Sequence, residues 1–277
     1  MADNTQQIEY WNGPSGERWA SLYDMTERSM SFITAALMPF AAAKSGERVL
    51  DIGCGCGSTT LLLEKAVGEG GAVSGVDISR PMLNVARERA REAGLSIAFN
   101  EADASTFAFQ PEFDLVFSRF GVMFFADPEA AFANIRKALK KGGRLAFVCW
   151  RALAENTWAA RPIAVARDLL PPEQPVDPYA PGPFAFADAD RLIGILTRAG
   201  FREAHADKLD TLMNMGATLD DAVGASVSIG PLARVAGDLD ELTRARIRER
   251  VREALAAFKT PAGIAPPAAC WLVGARA

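Results

Sequence analysis

Over its first 150 residues the chain alternates short apolar runs with segments whose apolar residues recur every three or four positions. Apolar runs of five or six residues are typical of strands buried in a parallel sheet. Helical spacing between them, with glycine near the end of each segment, predicts helices that cover the sheet. The predicted strands are residues 48–52, 72–77, 95–99, 113–118 and 145–150, and helices begin near residues 58, 80 and 128. The alternation predicts four successive strand–loop–helix units and a parallel sheet covered on both faces.

The pattern changes on either side of this region. Before it, helical spacing over residues 27–43 predicts a helix that leads into the first strand and that Pro39 ends or kinks. After it, the prolines of residues 171–183 predict an extended surface segment. The remaining predicted elements are a helix at 188–199, strands at 201–213 and 268–275, and two helical stretches within 218–259 that Gly230 and Pro231 separate.

Length and composition narrow the class of protein. With 277 residues, 49% of them hydrophobic and 23% charged, the chain suits one large α/β domain, or such a domain with a modest insertion. Its 30 basic and 34 acidic residues give a formal net charge of −4, which argues against nucleic acid or an anionic membrane as a partner. No apolar run approaches the roughly 18 residues that span a bilayer, and the N-terminal segment is polar. We therefore expect a cytoplasmic protein.

The cysteines do not indicate a metal centre. Cys54 and Cys56 are separated by one residue, a spacing that suits neither a redox pair nor a zinc ribbon. Cys149 and Cys270 lie far along the chain, and His205 is the only histidine available to complete a set of four donors. We expect no metal, and we expect the first two cysteines to be small residues in a tight turn.

Residues 51–57 carry the first candidate chemistry. Gly53, Gly55 and Gly57 follow the predicted first strand at alternate positions and precede a helix that begins near Ser58. Glycine adopts positive φ at little cost and has no Cβ, so a ligand can lie against the backbone. The free N–H groups at the helix start favour acceptor or anionic groups. The third glycine comes one residue earlier than in the dinucleotide fingerprint G-x-G-x-x-G, so the loop departs from that pattern.

Two aspartates follow the next predicted strands. Asp77 ends the second strand 20 residues after Gly57, which is the separation at which doubly wound folds place an acidic side chain on a ribose diol. A carboxylate accepts hydrogen bonds from both hydroxyls of such a diol. The alternative role, a cap for the next helix, suits Ser79 better because Pro81 then falls in the first turn. Asp103 follows the third strand and is either a ligand contact or a turn-forming aspartate.

Taken together, these features resemble the class I S-adenosylmethionine-dependent methyltransferases. Residues 51–57 read Asp-x-Gly-x-Gly-x-Gly, and Asp77, Asp103 and the strand at 113–118 follow in the order and spacing of that family. The resemblance implies a Rossmann-like three-layer α/β sandwich with a mostly parallel seven-stranded sheet and an antiparallel last strand. It implies S-adenosyl-L-methionine as cofactor and S-adenosyl-L-homocysteine as product. The implied cofactor contacts are Asp51, Gly53, Cys54, Gly55, Asp77, Ile78, Met82, Asp103, Ala104 and Ser118, with Asp103 on the adenine amino group.

The same resemblance divides the chain into two parts. Residues 1–45 are expected to form an N-terminal helical lid. Residues 46–277 are expected to form the class I methyltransferase domain, with insertions at about 151–187 and 216–262 on the acceptor side. The alternative for the first part is a terminal helix that docks its aromatic side chains on the core.

Aromatic residues mark both the lid and the first insertion. The lid contains Tyr10, Trp11, Trp19 and Tyr23, and residues 11–14 look like the leader of one bacterial small-molecule methyltransferase subfamily. In the insertion, Trp158, Phe184 and Phe186 either form one wall of an acceptor pocket or anchor the loop to the core.

The implied reaction is methyl transfer by in-line displacement to a small organic acceptor. Positioning matters more in this reaction than a fixed catalytic motif, and a general base is needed only for a hydroxyl or a protonated amine. His205, Tyr23 and Arg119 are weak candidates for such a base, and Arg18 or Arg28 are candidates to meet the cofactor carboxylate. The polar neighbours of His205 in the predicted sixth strand indicate a surface position rather than a catalytic one.

Two other functions stay open. A nicotinamide-dependent oxidoreductase uses the same kind of sheet, although the displaced third glycine and the lack of a Tyr-x-x-x-Lys pair argue against it. The second alternative is a protein that binds S-adenosylmethionine but has lost catalytic activity. The presence of both Asp77 and Asp103 argues against it. The pattern is compatible with methylation at O, N, C or S, and with a monomer or a homodimer.

Overall fold

A computed structural model describes residues 4–172, 177–236 and 239–277. Seven strands form one sheet in the order β3-β2-β1-β4-β5-β9-β6, and β7 and β8 form a separate small ribbon. The strands are β1 Arg48–Ile52, β2 Ala72–Asp77, β3 Ala98–Glu101, β4 Phe113–Arg119, β5 Leu139–Trp150, β6 Arg202–Leu212, β7 Lys259–Thr260, β8 Gly263–Ile264 and β9 Pro267–Arg276. Within the seven-stranded sheet, all neighbours pair in parallel except β9, which is antiparallel to β5 and β6. The predicted fold class is confirmed.

Twelve α-helices lie within the described residues and accompany the sheet. They are α1 Thr5–Asn12, α2 Pro14–Ser21, α3 Tyr23–Ser29, α4 Ser31–Ala41, α5 Ser58–Val67, α6 Arg80–Glu92, α7 Pro128–Arg136, α8 Thr157–Ala166, α9 Ala189–Arg198, α10 Leu219–Ser228, α11 Pro231–Ala236 and α12 Glu241–Leu255. Among these helices, none combines the length and the apolar character needed to cross a bilayer. As predicted, Asp127 caps α7, where its Oδ1 accepts from the Ala130 N–H at 3.0 Å.

The strand order places a switch point at the centre of the sheet. The chain proceeds outward from β1 through β2 to β3 and then returns to place β4 on the other side of β1. Val49, Leu50 and Leu115 are at most 1% exposed, as expected for central parallel strands. Ligands of open α/β sheets bind at the carboxyl ends of the strands beside such a switch point. The fold therefore directs attention to the loops that follow β1 and β4.

The starts of two predicted strands differ from the structure by several residues, and one predicted unit lacks its helix. The third strand begins at residue 98 rather than 95, because Gly94 turns with positive φ and the Leu95 N–H still bonds the Ala90 carbonyl at the end of α6. The fifth strand begins at residue 139 rather than 145, since residues 139–143 continue its pairing with β4 through an irregular register. Residues 102–112, all of them described, form no helix, so the third of the four predicted units lacks one.

The helical segments outside the sheet are also shorter than predicted. The helix expected at 27–43 is divided at Met30 into α3 and α4, and Ser29 bonds the Met25 carbonyl through its hydroxyl in the last turn of α3. Residues 218–259 contain three helices rather than two; the predicted break at Gly230 is present, and Asp240 caps an additional helix start. Residues 1–3 of the predicted lid and residues 173–176 and 237–238 of the two predicted insertions lie outside the described residues.

At the switch point, the backbone of the turn after β4 lies against the backbone of the loop after β1, and this contact positions the candidate site. A Cβ built on Gly121, just after β4, would lie 2.6 Å from the Ile52 carbonyl oxygen and 2.7 Å from the Gly53 Cα. Both obstacles are backbone atoms, so neither can rotate out of the way. The ends of β1 and β4 can therefore be this close only because glycine occupies both loops.

We predict that Gly121→Ala lowers the free energy of unfolding by about 1–3 kcal/mol, the usual cost of overpacking. Urea unfolding followed by circular dichroism measures it. The matched control is Gly224→Ala in α10, where a Cβ meets nothing within 4 Å and the change should stabilise by about 0.5–1 kcal/mol. Equal effects of the two substitutions would contradict the steric argument.

Candidate active site

One large cleft opens at the carboxyl ends of the central strands. Its empty volume, counted out to the open mouth, is about 1740 Å³. Gly53 and Gly55 line it from the loop after β1, Asp77 from the end of β2, Asp103 from the loop after β3, and Gly121 from the turn after β4. The residues singled out for ligand binding on the sequence therefore meet in one place. Of the remaining predicted cofactor residues, Cys54, Ile78, Met82 and Ala104 also line the cleft.

The three glycines of the first loop all have positive φ but meet different neighbours. Gly53 touches the backbone of Gly121 across the switch point. A Cβ on Gly55 would meet only the flexible end of Met82, at 2.8 Å, so this position leaves its backbone open toward the cleft. A Cβ on Gly57 would lie 3.0 Å from the Ala86 Cβ, so this glycine allows the loop to pack on α6. The loop thus combines ligand access with two tight contacts.

Asp77 is held in place by backbone donors. Its Oδ2 accepts from the Gly55 N–H at 2.7 Å and its Oδ1 from the Ser79 N–H at 2.8 Å. Burial raises the pKa of this carboxyl, and its hydrogen bonds with the backbone act in the opposite direction. Asp77 is not the cap residue of α6, which follows Ser79. The carboxylate is therefore fixed at the cleft wall with its remaining lone pairs available to a ligand.

The structure shows one of the two roles that the sequence left open for Asp103, the turn-forming contact, and places its side chain in the cleft. Its Oδ1 accepts from the Ser105 N–H at 2.8 Å, which is a turn-forming contact, and its side chain also lines the cleft. Asn134 of α7 steadies this loop by donating to the carbonyl oxygens of Ala104 at 3.0 Å and Phe107 at 2.9 Å. The loop after β3 is thereby tied to a helix rather than left free.

Two predicted cofactor residues lie behind the cleft wall instead of on it. Asp51 is fully buried, and its Oδ2 accepts from the hydroxyls of Thr59 at 2.8 Å and Thr60 at 2.7 Å. Ser118 is also fully buried; its hydroxyl donates to the Ile52 carbonyl at 2.7 Å and accepts from the Gly121 N–H at 3.1 Å. Both side chains support the backbone that forms the wall.

The buried Asp51 carboxyl is electrostatically unusual. Within the described part of the chain its Oδ1 has no hydrogen-bond partner. Burial raises its pKa from 3.8 to about 6, and the two threonine hydroxyls only partly oppose this. A neighbouring positive charge would favour its ionised form.

Arg119, one of the weak catalytic candidates, lines the cleft in an ion pair. Its guanidinium donates to both carboxylate oxygens of Glu27 and to the Thr34 hydroxyl at 2.8 Å. Glu27 also lines the cleft and was missed on the sequence, where nothing in its surroundings marks it. The cleft therefore presents one carboxylate and one guanidinium side by side near the glycine loop.

The other ionisable candidates do not line the cleft. His205 is exposed on β6, the outermost strand beside β9, where a ring nitrogen lies 2.9 Å from the Glu203 carbonyl oxygen. Tyr23 lies under the Arg89 guanidinium, 4.9 Å from the ring centroid. Arg18 and Arg28 are exposed and are not among the cleft residues.

The side of the cleft away from the glycines is apolar and aromatic. Phe120 stacks on Trp150 with ring centroids 4.2 Å apart, and Trp150 packs on Trp158 at 4.9 Å. Further lining residues on this side include Met123, Met213, Met215, Ala225, Ile229 and Leu232. Phe184 and Phe186 do not line the cleft, and Phe186 packs on Phe132 in the core. The position of Trp150 in the cleft could have been predicted from the sequence, because this residue ends a strand of the parallel sheet. No feature of the sequence marked Phe120 as a cleft residue.

The N-terminal helices are attached to the loop after β2. The Asn12 side chain donates to the Ile78 carbonyl at 2.8 Å and accepts from the Arg80 N–H at 3.0 Å. The Ser79 hydroxyl donates to the Trp11 carbonyl at 2.7 Å. Trp11 and Trp19 line the cleft from this segment. The segment thus contacts the loop that carries Asp77 and contributes to the cleft wall.

Comparison with known proteins agrees with this geometry. Residues 49–143, which contain the glycine loop, Asp77 and Asp103, match a family model described as a methyltransferase domain. The chain is 41% identical over 113 residues to an aklanonic acid methyltransferase of Streptomyces sp. strain C5, covering 40% of this chain and 51% of that protein. It is 36% identical over 132 residues to a demethylmenaquinone methyltransferase of Thermus thermophilus, covering 46% of this chain and 60% of that protein.

These curated relatives are thus matched over little more than half of their length. Among solved structures, the fold is similar to that of Haemonchus contortus phosphoethanolamine N-methyltransferase 2 in complex with S-adenosyl-L-methionine. The TM-score is 0.62 at 17% identity, over 100% of this chain and 60% of that one. The comparisons favour a methyltransferase over the oxidoreductase and the non-catalytic binder considered above.

We predict a pH-dependent effect of Asp51→Asn on stability. The folded carboxyl takes up its proton near pH 6 and an unperturbed one near 3.8, so between these values the folded wild type binds more protons and loses stability as pH rises. The difference between the two pKa values corresponds to a loss of about 3 kcal/mol in the free energy of unfolding of the wild type. The variant has no carboxyl at this position and does not lose this stability. Denaturant unfolding from pH 4 to pH 7 should show the variant gaining on the wild type by about that amount.

Asp24→Asn, which removes an exposed carboxylate in α3, serves as the control and should follow the wild type over the same range. A constant difference between Asp51→Asn and the wild type at all pH values would show that Asp51 does not titrate as described.

Proposed function

We propose that this chain, which belongs to the class I S-adenosylmethionine-dependent methyltransferases, transfers the cofactor's methyl group to a small organic acceptor. The observation that carries the proposal is the meeting of an open glycine backbone with Asp77 and Asp103 in one cleft at the switch point. In the proposed complex, the loop at Gly53 and Gly55 lies against the sulfonium amino acid. Asp77 accepts from the ribose diol, and Asp103 accepts from the adenine amino group.

The predicted apolar contacts fit the same arrangement. Ile78 and Met82 border Asp77 on the cleft wall and offer apolar surface to the adenosine, while Cys54 and Ala104 are small enough to leave it room. Asp51 and Ser118 act indirectly in this proposal, because they hold the backbone on which the cofactor lies. The buried Asp51 carboxylate also favours the positive charges of the cofactor.

The Arg119–Glu27 pair suits the amino-acid end of the cofactor. That end carries a carboxylate and an ammonium, and the pair presents the complementary charges within the cleft. We assign Arg119, rather than the exposed Arg18 or Arg28, to the cofactor carboxylate, and Glu27 to the ammonium. Arg119 then has no role as a general base, and neither His205 nor Tyr23 is part of the reaction.

The chemistry requires chiefly alignment. An electron pair of the acceptor forms a bond to the methyl carbon while the carbon–sulfur bond breaks, and its electrons remain on sulfur to give S-adenosyl-L-homocysteine. Holding the reacting atoms in line at about 3–3.5 Å can supply roughly 7–11 kcal/mol of the barrier. The cleft walls provide this alignment, and exclusion of water strengthens the electrostatic contacts.

Residues 1–45 act as the lid in this proposal, and the two insertions at about 151–187 and 216–262 form the acceptor side. Support comes from Trp11 and Trp19 on one wall and from Trp158 and Leu232 on another. The names of the matched relatives, an aklanonic acid and a demethylmenaquinone methyltransferase, support a small-molecule acceptor. We place the protein in the cytoplasm, since all four cysteines are free thiols, as is usual in a reducing compartment.

The cofactor assignment makes a direct prediction. Asp77→Ala should weaken binding of S-adenosyl-L-homocysteine by about 1.5 kcal/mol or more, the scale of hydrogen bonds to a charged group. Isothermal titration calorimetry measures it, with Glu88→Ala, which removes an exposed carboxylate on α6, as the control. Unchanged affinity in Asp77→Ala would remove the main support for the assignment.

The lid assignment makes a second prediction. Asn12→Ala loses two hydrogen bonds to the loop after Asp77 and should weaken cofactor binding by about 1–2 kcal/mol. Hydrogen exchange in α1 and α2 should become faster, and dissociation of S-adenosyl-L-homocysteine in stopped-flow experiments should become faster too. Asn84→Ala on the exposed face of α6 is the control. Faster exchange with unaltered cofactor dissociation would mean that these helices are attached to the domain without acting as a lid.

A further inference from the structure

We propose that the acceptor is a planar ring compound whose only ionisable group is a phenolic or enolic hydroxyl, and that Phe120 is the residue that selects it. This inference rests on the proposed function and concerns the half of the cleft that the cofactor leaves free. It is carried by three observations: a preformed aromatic wall, a strained backbone at Phe120, and the distribution of charge along the cleft.

The aromatic wall consists of Phe120, Trp150 and Trp158, which come from the end of β4, the end of β5 and the start of α8. Phe120 and Trp150 are stacked with nearly parallel ring planes, 12° apart, and both are at most 8% exposed. The Trp158 indole N–H donates to the Asn156 side-chain oxygen at 3.0 Å. Asn156 is fully buried and also bonds the Ala269 backbone. The wall is therefore rigid before any acceptor arrives, and flat rings stack well on such a surface.

Phe120 reaches this wall through a backbone conformation that disfavours a side chain. Its φ is 64° and its ψ is 2°, which is the left-handed region that glycine adopts easily and that a bulky residue rarely adopts. Strain of this kind persists where the surrounding structure over-determines it, and it concentrates at functional sites. The turn also places Phe120 between Arg119, assigned to the cofactor, and Gly121, which contacts the glycine loop. The ring thus lies at the junction of the two halves of the cleft.

Charge is confined to one end of the cleft. Among the described lining residues, the groups that carry charge at neutral pH are Glu27, Asp77, Asp103 and Arg119, all of which the cofactor engages in the proposed complex. The hydroxyl of Ser226, on the apolar side, already donates to the Ala222 carbonyl at 2.9 Å. A charged acceptor such as an amino acid or a phosphate ester would lose its hydration without gaining a partner there. The apolar half therefore selects against such compounds.

The same distribution limits how the acceptor is activated. Because the described residues of the apolar half include no base, the acceptor hydroxyl must lose its proton to water before transfer. A phenol or enol, with a pKa of about 10 or below, forms its anion far more readily than an aliphatic alcohol does. The resulting anion, delocalised over the ring, supplies the electron pair for the new bond to the methyl carbon. Sulfur keeps the electrons of the broken bond, so the anion and the sulfonium neutralise one another as they react.

The test uses 1,3-dihydroxynaphthalene as the ring probe, with glycine and ethanolamine as charged probes. Each is titrated by calorimetry into the wild-type protein saturated with S-adenosyl-L-homocysteine, and each is incubated with S-adenosyl-L-methionine and examined for a methyl mass increase. We expect binding and methylation of the ring probe alone. Binding of glycine or ethanolamine without binding of the ring probe would overturn the proposal.

Phe120→Gly is the decisive variant, because it removes the ring and also relieves the strain. Its midpoint of thermal unfolding should fall, because the loss of a buried ring outweighs the relief of strain. Its affinity for S-adenosyl-L-homocysteine should nevertheless stay within twofold, and its affinity for the ring probe should fall tenfold or more. Unchanged affinity for the ring probe would contradict the role of Phe120.

A second pair of variants keeps the test independent of that one position. Trp158→Leu should reduce affinity for the ring probe tenfold or more at unchanged cofactor affinity. Trp271→Leu removes an indole that lies outside the cleft and should leave both affinities unchanged; equal losses in the two variants would overturn the proposed wall. Failure of the wild type to bind S-adenosyl-L-homocysteine would instead contradict the proposed function itself.

Discussion

The backbone contact between Gly53 and Gly121 is the constraint on which the candidate site depends. It brings the loops after the two central strands together so closely that a Cβ on Gly53 would lie 2.5 Å from the Gly121 Cα. The buried Ser118 hydroxyl links the same two loops, through the Ile52 carbonyl and the Gly121 N–H. Arg119 and Phe120 lie within this turn, so their directions into the cleft follow from the contact. One steric fact thereby sets both the cofactor end and the aromatic end of the site.

The electrostatics of the site favour a positively charged ligand. Burial raises the pKa of Asp51 to about 6 and also raises that of Asp77, which means that the protein alone keeps these carboxylates ionised at some cost in free energy. A ligand that carries a sulfonium and an ammonium offsets this cost where a neutral ligand does not. The same region contains the Arg119 guanidinium, which is paired with the Glu27 carboxylate. The cleft is thus polarised, with ionised groups beside the glycine loop and apolar surface opposite it.

The charged and the apolar parts of the cleft come from different segments of the chain. The stretch that matches the methyltransferase domain, residues 49–143, contains the glycine loop and both cleft aspartates. Trp150, Trp158 and the helices α10 and α11 lie beyond that stretch, and they form much of the apolar wall. Most of the proposed cofactor contacts therefore lie in the stretch that matches the family model, whereas much of the apolar wall lies outside that stretch. Asn12 ties the N-terminal helices to the loop that follows Asp77.

The sequence by itself determined the fold class, the glycine loop and the positions of Asp77 and Asp103, because apolar run length, glycine spacing and helix caps are local properties. The tertiary structure alone decided the starts of β3 and β5, which depend on pairing with neighbouring strands. It also decided that Arg119 pairs with Glu27, 92 residues away, and that His205 lies exposed on the outermost strand. Such contacts join distant parts of the chain, and no local pattern encodes them. The aromatic wall is of the same kind, since the packing of three separate elements brings Phe120, Trp150 and Trp158 together.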